Sequence, residues 1–135
     1  MNGAVHRALV CAALVVVAVP GGAGATLHFG LVDTGELFAS TDAGVSWTLR
    51  STLPVRDAVS LVAGASTTEL FLASESGSFY RSDDAGMTWT WVSTVPAADV
   101  TALLSYPGRL VLLTRSGSVY ASLDNGGSFA AVGVI

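Results

Sequence analysis

The chain has 135 residues, 51% of them hydrophobic, and a formal net charge of −4. That length suits one domain held by apolar burial. Every basic residue is an arginine, scattered and outnumbered by acids, which excludes the basic footprint of a nucleic-acid binder, and no run of acids forms a charged tail.

The first element in chain order is an export segment. Arg7 precedes an unbroken apolar run, Ala8 to Val19, and Pro20-Gly21-Gly22 ends it. Ala23-Gly24-Ala25 then supplies small residues of the A-x-A kind. Charged start, short apolar core and small-residue site define a secretory signal peptide over 1–25, with cleavage after Ala25. The run is short of the ~20 residues that a membrane span needs, so stable insertion is not expected after cleavage. Cys11 lies inside the run, so it marks no lipid anchor. The remaining chain, 26–135, has no cysteine and therefore no disulfide. The expected location is secreted or periplasmic.

A repeat follows. Gly35, Gly77 and Gly117 are 42 and 40 residues apart, and the same separations relate Ser40, Ser82 and Ser122. Pro54 matches Pro96, and Asp57 matches Asp99. The units run at about 27–54, 55–96 and 97–135. The runs LFLASE (70–75) and LVLLTR (110–115) end at Ser-Gly. Gly35, Gly77 and Gly117 are read as hairpin turns, because glycine takes positive φ without steric cost. The returning strands ELFAS, SFYRS and SVYAS alternate apolar with polar. A fourth strand is read from AVSLVA (58–63) and VTALLS (100–105). Four short strands per 40–42 residues is the content of a β-propeller blade.

After each returning strand stands S-x-D-x-G-x-[ST]-[WF], three times in all: STDAGVSW (40–47), SDDAGMTW (82–89) and SLDNGGSF (122–129). Asp42, Asp84 and Asp124 can accept from backbone amides downstream, as Asx-turns do. Gly44, Gly86 and Gly126 supply a conformation closed to most residues. Ser40, Ser82 and Ser122 bond the turn, and Trp47, Trp89 and Phe129 are expected to fold back onto their own blade. In the third copy Asn125-Gly126-Gly127 is a looser sequence and Phe129 replaces tryptophan, so its blade is expected to be the least well pinned.

This pattern resembles the Asp-box, or bacterial neuraminidase repeat, of sialidases, xyloglucanases, sortilin-type receptors and photosystem II assembly/stability-factor-like proteins. The resemblance covers essentially all of 27–135. It implies an all-β propeller of four-stranded antiparallel blades, with the boxes as structural hairpins away from the substrate face. It implies architecture rather than activity.

Sharper readings are weaker. A calcium site needs six to eight oxygens, whereas each box repeats a single acid; Asp83 is answered by Thr41 and Leu123. Sialidases resemble one another in a tyrosine nucleophile and an arginine cluster. Tyr80, Tyr106, Tyr120, Glu69, Glu75, Arg109 and Arg115 are the candidate parts, but no Arg-Ile-Pro-type motif occurs. Tyr80 and Tyr120 are equivalent strand positions and read as core aromatics. Asp57 and Asp99 read as turn or strand-start caps before acids at the propeller mouth. His28, alone after residue 25, makes no metal site. No cofactor is expected.

With residues 1–25 removed, the first unit lacks its inner strand. The expectation is therefore a partial propeller of just under three blades, a piece of a longer propeller. Open edge strands invite self-association. The expected role is an exported, non-enzymatic interaction or scaffold module with a protein or glycan partner. The alternative is a remnant of a sialidase- or xyloglucanase-like glycoside hydrolase.

Overall fold

The computed structural model describes the backbone of residues 15–20 and residues 26–135 in full. Arg7, Cys11 and the cleavage residues Ala23 to Ala25 lie outside the described residues. Among the described residues no helix is long and apolar enough to cross a membrane.

Among the described residues twelve strands form three four-stranded antiparallel sheets in sequence order. The first sheet holds β1 (Val15–Pro20), β2 (Thr26–Leu31), β3 (Glu36–Ser40) and β4 (Thr48–Thr52). The second holds β5 (Ala58–Ala63), β6 (Leu70–Ser74), β7 (Ser78–Ser82) and β8 (Thr90–Thr94). The third holds β9 (Val100–Tyr106), β10 (Arg109–Thr114), β11 (Ser118–Ser122) and β12 (Ala130–Val134). Each sheet is one propeller blade, and the three make a partial propeller.

In the uncleaved chain the segment read as the leader's apolar core is also an inner strand: Val15–Pro20 pairs with Leu31–Thr26 over its whole length. The physical reason is an ambiguity of composition. An innermost strand is covered on both faces and reads as a continuous apolar run. The sequence VVVAVP is rich in the β-branched residues that suit a pleated, buried surface. The apolar core of an export signal has the same signature.

Two cores lie between blades, not within them. Phe29, Leu31 and Leu37 of the first blade pack with Leu61, Leu70 and Leu72 of the second. Phe71, Phe79 and Val95 of the second pack with Val100, Leu103, Leu110 and Leu112 of the third. Strands of the middle blade are therefore apolar towards both neighbours; β6 is buried at every position. The last blade has one neighbour, and β10 alternates between buried and accessible positions. β12 is exposed throughout.

The antiparallel order fixes two ends. The β3–β4, β7–β8 and β11–β12 connections, which are the three boxes, share one end with Gly64–Glu69 and Pro107-Gly108. The β2–β3, β6–β7 and β10–β11 hairpins share the other with the segments entering β5 and β9. Gly35, Gly77 and Gly117 sit in those hairpins at φ 88°, 101° and 94°.

Candidate functional site

The three boxes are built from short-range hydrogen bonds. In the second box the Ser82 hydroxyl donates to Asp84 Oδ1 at 2.8 Å and accepts from the Gly86 amide at 2.9 Å. Asp84 Oδ1 also accepts from the Thr88 amide at 2.8 Å, and Oδ2 from the Thr88 hydroxyl. The first box repeats this through Ser40, Asp42, Gly44 and Ser46. The third repeats it through Ser122, Asp124, Gly126 and Ser128. The third turn is thus bonded like the others, although its residues suggest a looser one.

Such donors favour the ionised carboxylate. All three aspartates are held at about 2 instead of 3.8, led by the Ser46 hydroxyl at Asp42, the Thr88 hydroxyl at Asp84 and the Ser122 hydroxyl at Asp124. Folded values lie below the unfolded one, so on acidification the unfolded chain takes up protons first. The stabilisation is complete above about pH 4 and is lost as pH falls from there towards 2. The urea midpoint is expected to drop steeply between about pH 4 and pH 2, and Asp84→Asn to flatten that slope. Equal midpoints at the two pH values would show that the boxes do not hold their protons this way.

The residue before each box glycine is also left-handed: Ala43 at φ 60°, Ala85 at 57° and Asn125 at 57°. Asparagine adopts this region at lower cost than alanine. Ala43 is exposed, so nothing else constrains it. Ala43→Asn is expected to stabilise the protein by about 0.5–1 kcal/mol, read as a raised melting temperature.

The box aromatics do not fold back only on their own blade. Trp89 packs against the core between the first two blades, and its Nε1 donates to Ser51 Oγ of the first blade at 3.4 Å. Phe129 meets Phe79 of the second blade edge-on, with ring centroids 5.1 Å apart. Trp47 bonds within its own box, donating to the Gly44 carbonyl at 3.0 Å. The turn itself also reaches the preceding blade. Ser51 donates to the Gly86 carbonyl and Ser93 to the Gly126 carbonyl, both at 2.6 Å, while Arg50 donates to the Ala85 carbonyl. Ser51, Ser93 and Arg50 carry no sequence signal of this role, because the contact joins residues more than thirty positions apart.

At the opposite end Asp57 and Asp99 are engaged as caps. Asp57 accepts from the Ser76 amide at 3.0 Å, and Asp99 from the Ser116 amide at 2.9 Å. Ser116, through side chain and then backbone, lowers the Asp99 carboxyl below its ordinary value. Glu75 and Arg115, equivalent positions in two blades, form an exposed ion pair across them, and this pair raises the arginine further.

The candidate hydrolase residues divide between sites. Tyr80 packs in the first interblade core and Tyr120 in the second, where the Tyr120 hydroxyl donates to the Pro96 carbonyl. Glu69, Tyr106, Arg109 and Asn125 line one cleft of ≈ 360 Å³ at the box end, between the second and third blades. Within it Glu69 is nearly buried, accepts from the Ala65 amide at 3.0 Å and pairs with Arg81 at 2.8 Å. Arg81 also pairs with Asp83 at 2.9 Å. Among the described residues no group of three His, Cys, Asp or Glu side chains is arranged to hold a metal.

Solved propeller structures resemble this chain. YCF48 bound to D1 peptide aligns with a TM-score of 0.61 at 18% identity, over 86% of this chain and 44% of that one. A GH74 xyloglucanase from Xanthomonas campestris aligns with a TM-score of 0.63 at 18% identity, over 78% of this chain and 21% of the enzyme. An ancestral GH74 enzyme aligns with a TM-score of 0.67 at 16% identity, over 87% and 17%. The chain thus spans less than half the length of these structures, and at such identities the likeness is one of fold. No curated protein matches the chain. The family model of the DUF6242 beta propeller domain matches residues 16–133, β1 included but for its first residue, and the chain belongs to that family.

Proposed function

We propose that this protein is an exported, non-enzymatic interaction module whose propeller blades present a surface to a protein segment or a glycan. The observation that carries this reading is the engagement of its acids. The box carboxylates, Asp57, Asp99 and Glu69 are each taken up by amides, hydroxyls or an arginine of the same chain, which supports a scaffold over a reaction centre. The fold likeness to YCF48, which was solved bound to D1 peptide, supports a peptide ligand. A peptide library and a glycan array probed with the full chain test the proposal. Binding that survives Asp84→Ala at a temperature where that variant remains folded, and that weakens on changing the exposed Glu75–Arg115 pair, supports it. Absence of any binding together with catalytic turnover overturns it.

The second reading, a glycoside hydrolase remnant, draws on the shared cleft of Glu69, Tyr106 and Arg109 and on the GH74 fold likeness. Hydrolysis of a fluorogenic sialoside or of xyloglucan, abolished by Tyr106→Phe, would establish it.

Export rests on the leader-like segment 1–25. β1 lies in that segment, so cleavage after Ala25 would leave the first blade with three strands. Mass and N-terminal sequence of the protein recovered outside the cell decide the matter. Thr26 as the first residue supports export with cleavage; recovery only inside the cell, starting at Met1, overturns it.

A further inference from the structure

We propose that Asn125-Gly126 is a deamidation site that the docked third box holds closed, and that reaction there leaves the third blade unable to dock. The chain has two asparagines, Asn2 and Asn125, and glycine follows each. Glycine has no side chain to shield its own nitrogen, so that nitrogen can approach the carboxamide before it. Among the boxes only the third carries this pair; the others have Ala43-Gly44 and Ala85-Gly86. The reaction is an internal acyl transfer. Hydroxide takes the proton of the Gly126 nitrogen, which attacks Asn125 Cγ. The new N–C bond closes a cyclic imide, and the side-chain nitrogen takes a proton from water and leaves as ammonia. Water then opens the imide at either carbonyl. One opening gives an aspartyl residue; the other gives an isoaspartyl residue, in which the backbone runs through the former side-chain carbons.

The fold blocks the first step. The Gly126 amide is buried and already donates to Ser122 Oγ at 2.8 Å. Asn125 is fixed at φ 57° and Gly126 at 88°. The Gly126 backbone is pressed on the Phe79 ring, where an added Cβ would clash. Ring closure swings the Gly126 nitrogen away from Ser122 and onto Cγ, so the turn has to leave Phe79 first. The carboxamide is under no such restraint. Asn125 is exposed at the ≈ 360 Å³ cleft between the second and third blades, where solvent reaches it. The reacting pair is therefore complete, and one docked turn holds it apart. Its rate follows the fraction of molecules in which the third box is open, a matter of local stability. The isoaspartyl product is a one-way mark. It inserts one extra backbone atom before Gly126, where there is no room even for a methyl group, so the turn cannot reseat on Phe79.

The test is incubation of the full chain in mildly alkaline buffer, with and without unfolding urea, followed by tryptic mapping in a mass spectrometer. The peptide Ser116–Ile135 holds Asn125, and Met1–Arg7 holds Asn2, so the two sites are read separately. Gain of one mass unit at position 125 is expected to be at least about tenfold slower in native buffer than in urea. Ser122→Ala, shown to be folded by circular dichroism, is expected to raise the native rate severalfold. The isoaspartyl chain, once separated, is expected to melt below Asn125→Asp, which carries the same charge on an unaltered backbone. No conversion at 125 in urea overturns the site. Equal rates with and without urea overturn its closure by the fold, and this comparison needs no variant. A folded Ser122→Ala with the wild-type rate overturns the part given to the Gly126 hydrogen bond. An isoaspartyl chain that melts with Asn125→Asp overturns the loss of docking.

Discussion

Alanine at Gly126 or Gly86 is expected to destabilise the protein by about 2–4 kcal/mol, and alanine at Gly44 by no more than about 1.5 kcal/mol. The three glycines have φ of 88°, 85° and 88°, so the backbone strain of a side chain is the same at each. That strain is about 1–2 kcal/mol for an L-residue, and the reduced freedom of the unfolded chain offsets about 0.4–1 kcal/mol of it. What differs is the neighbour. A Cβ on Gly44 finds only the Trp47 ring at 3.6 Å. One on Gly86 comes within 2.7 Å of Leu37 Cδ2, and one on Gly126 runs into the Phe79 ring. Crowding of this kind in a packed core costs about 1–3 kcal/mol more. Urea unfolding of the three variants separates the two contributions. Equal losses at all three positions would mean that the box turn does not dock tightly on the preceding blade.

Phe79→Ala is expected to cost about 3–5 kcal/mol, the range for truncating a large buried aromatic. Phe79 is fully buried, stacks on Phe71 and meets Phe129 edge-on. It is the surface on which the third blade rests. Domains of this size have about 5–15 kcal/mol in all, so this one truncation removes a large share. Val119→Ala, at the equivalent position on the half-exposed third blade, is expected to cost well under ~1 kcal/mol, because there is less burial to lose. The Phe79 and Gly126 effects should not add. Once the ring is gone, a Cβ at 126 has room, and the double variant should be more stable than the sum of the singles implies. Strict additivity would place the Gly126 penalty in the backbone alone.

Much of this architecture is legible in the sequence, for a definite reason. A blade is a local object: four strands close in sequence, each paired with the next, with turns that only particular residues can make. Ser, Asp and Gly at fixed spacing bond one another within a few positions, so the box carries its own hydrogen bonds in its own seven or eight letters. The repeat then gives the period and the strand order. Asp57 and Asp99 read correctly as caps for the same reason, since each bonds the hairpin of its own blade.

The contacts between blades are not legible in the same way. Trp89 and Phe129 look like anchors of their own hairpins, yet they reach the blade before. Ser51 and Ser93 look like ordinary strand serines, yet they hold the next blade's turn. Val15–Pro20 looks like the core of an export signal, yet it pairs as an inner strand. Apolar letters and single serines record that a residue is to be covered or bonded, and not by what. The repeat, the blade and the boxed turn follow from the order of residues alone, because those contacts are short-range. How one blade grips its neighbour is settled only in the folded molecule, because that contact joins residues 33 to 38 positions apart, through single side-chain hydrogen bonds and non-directional packing.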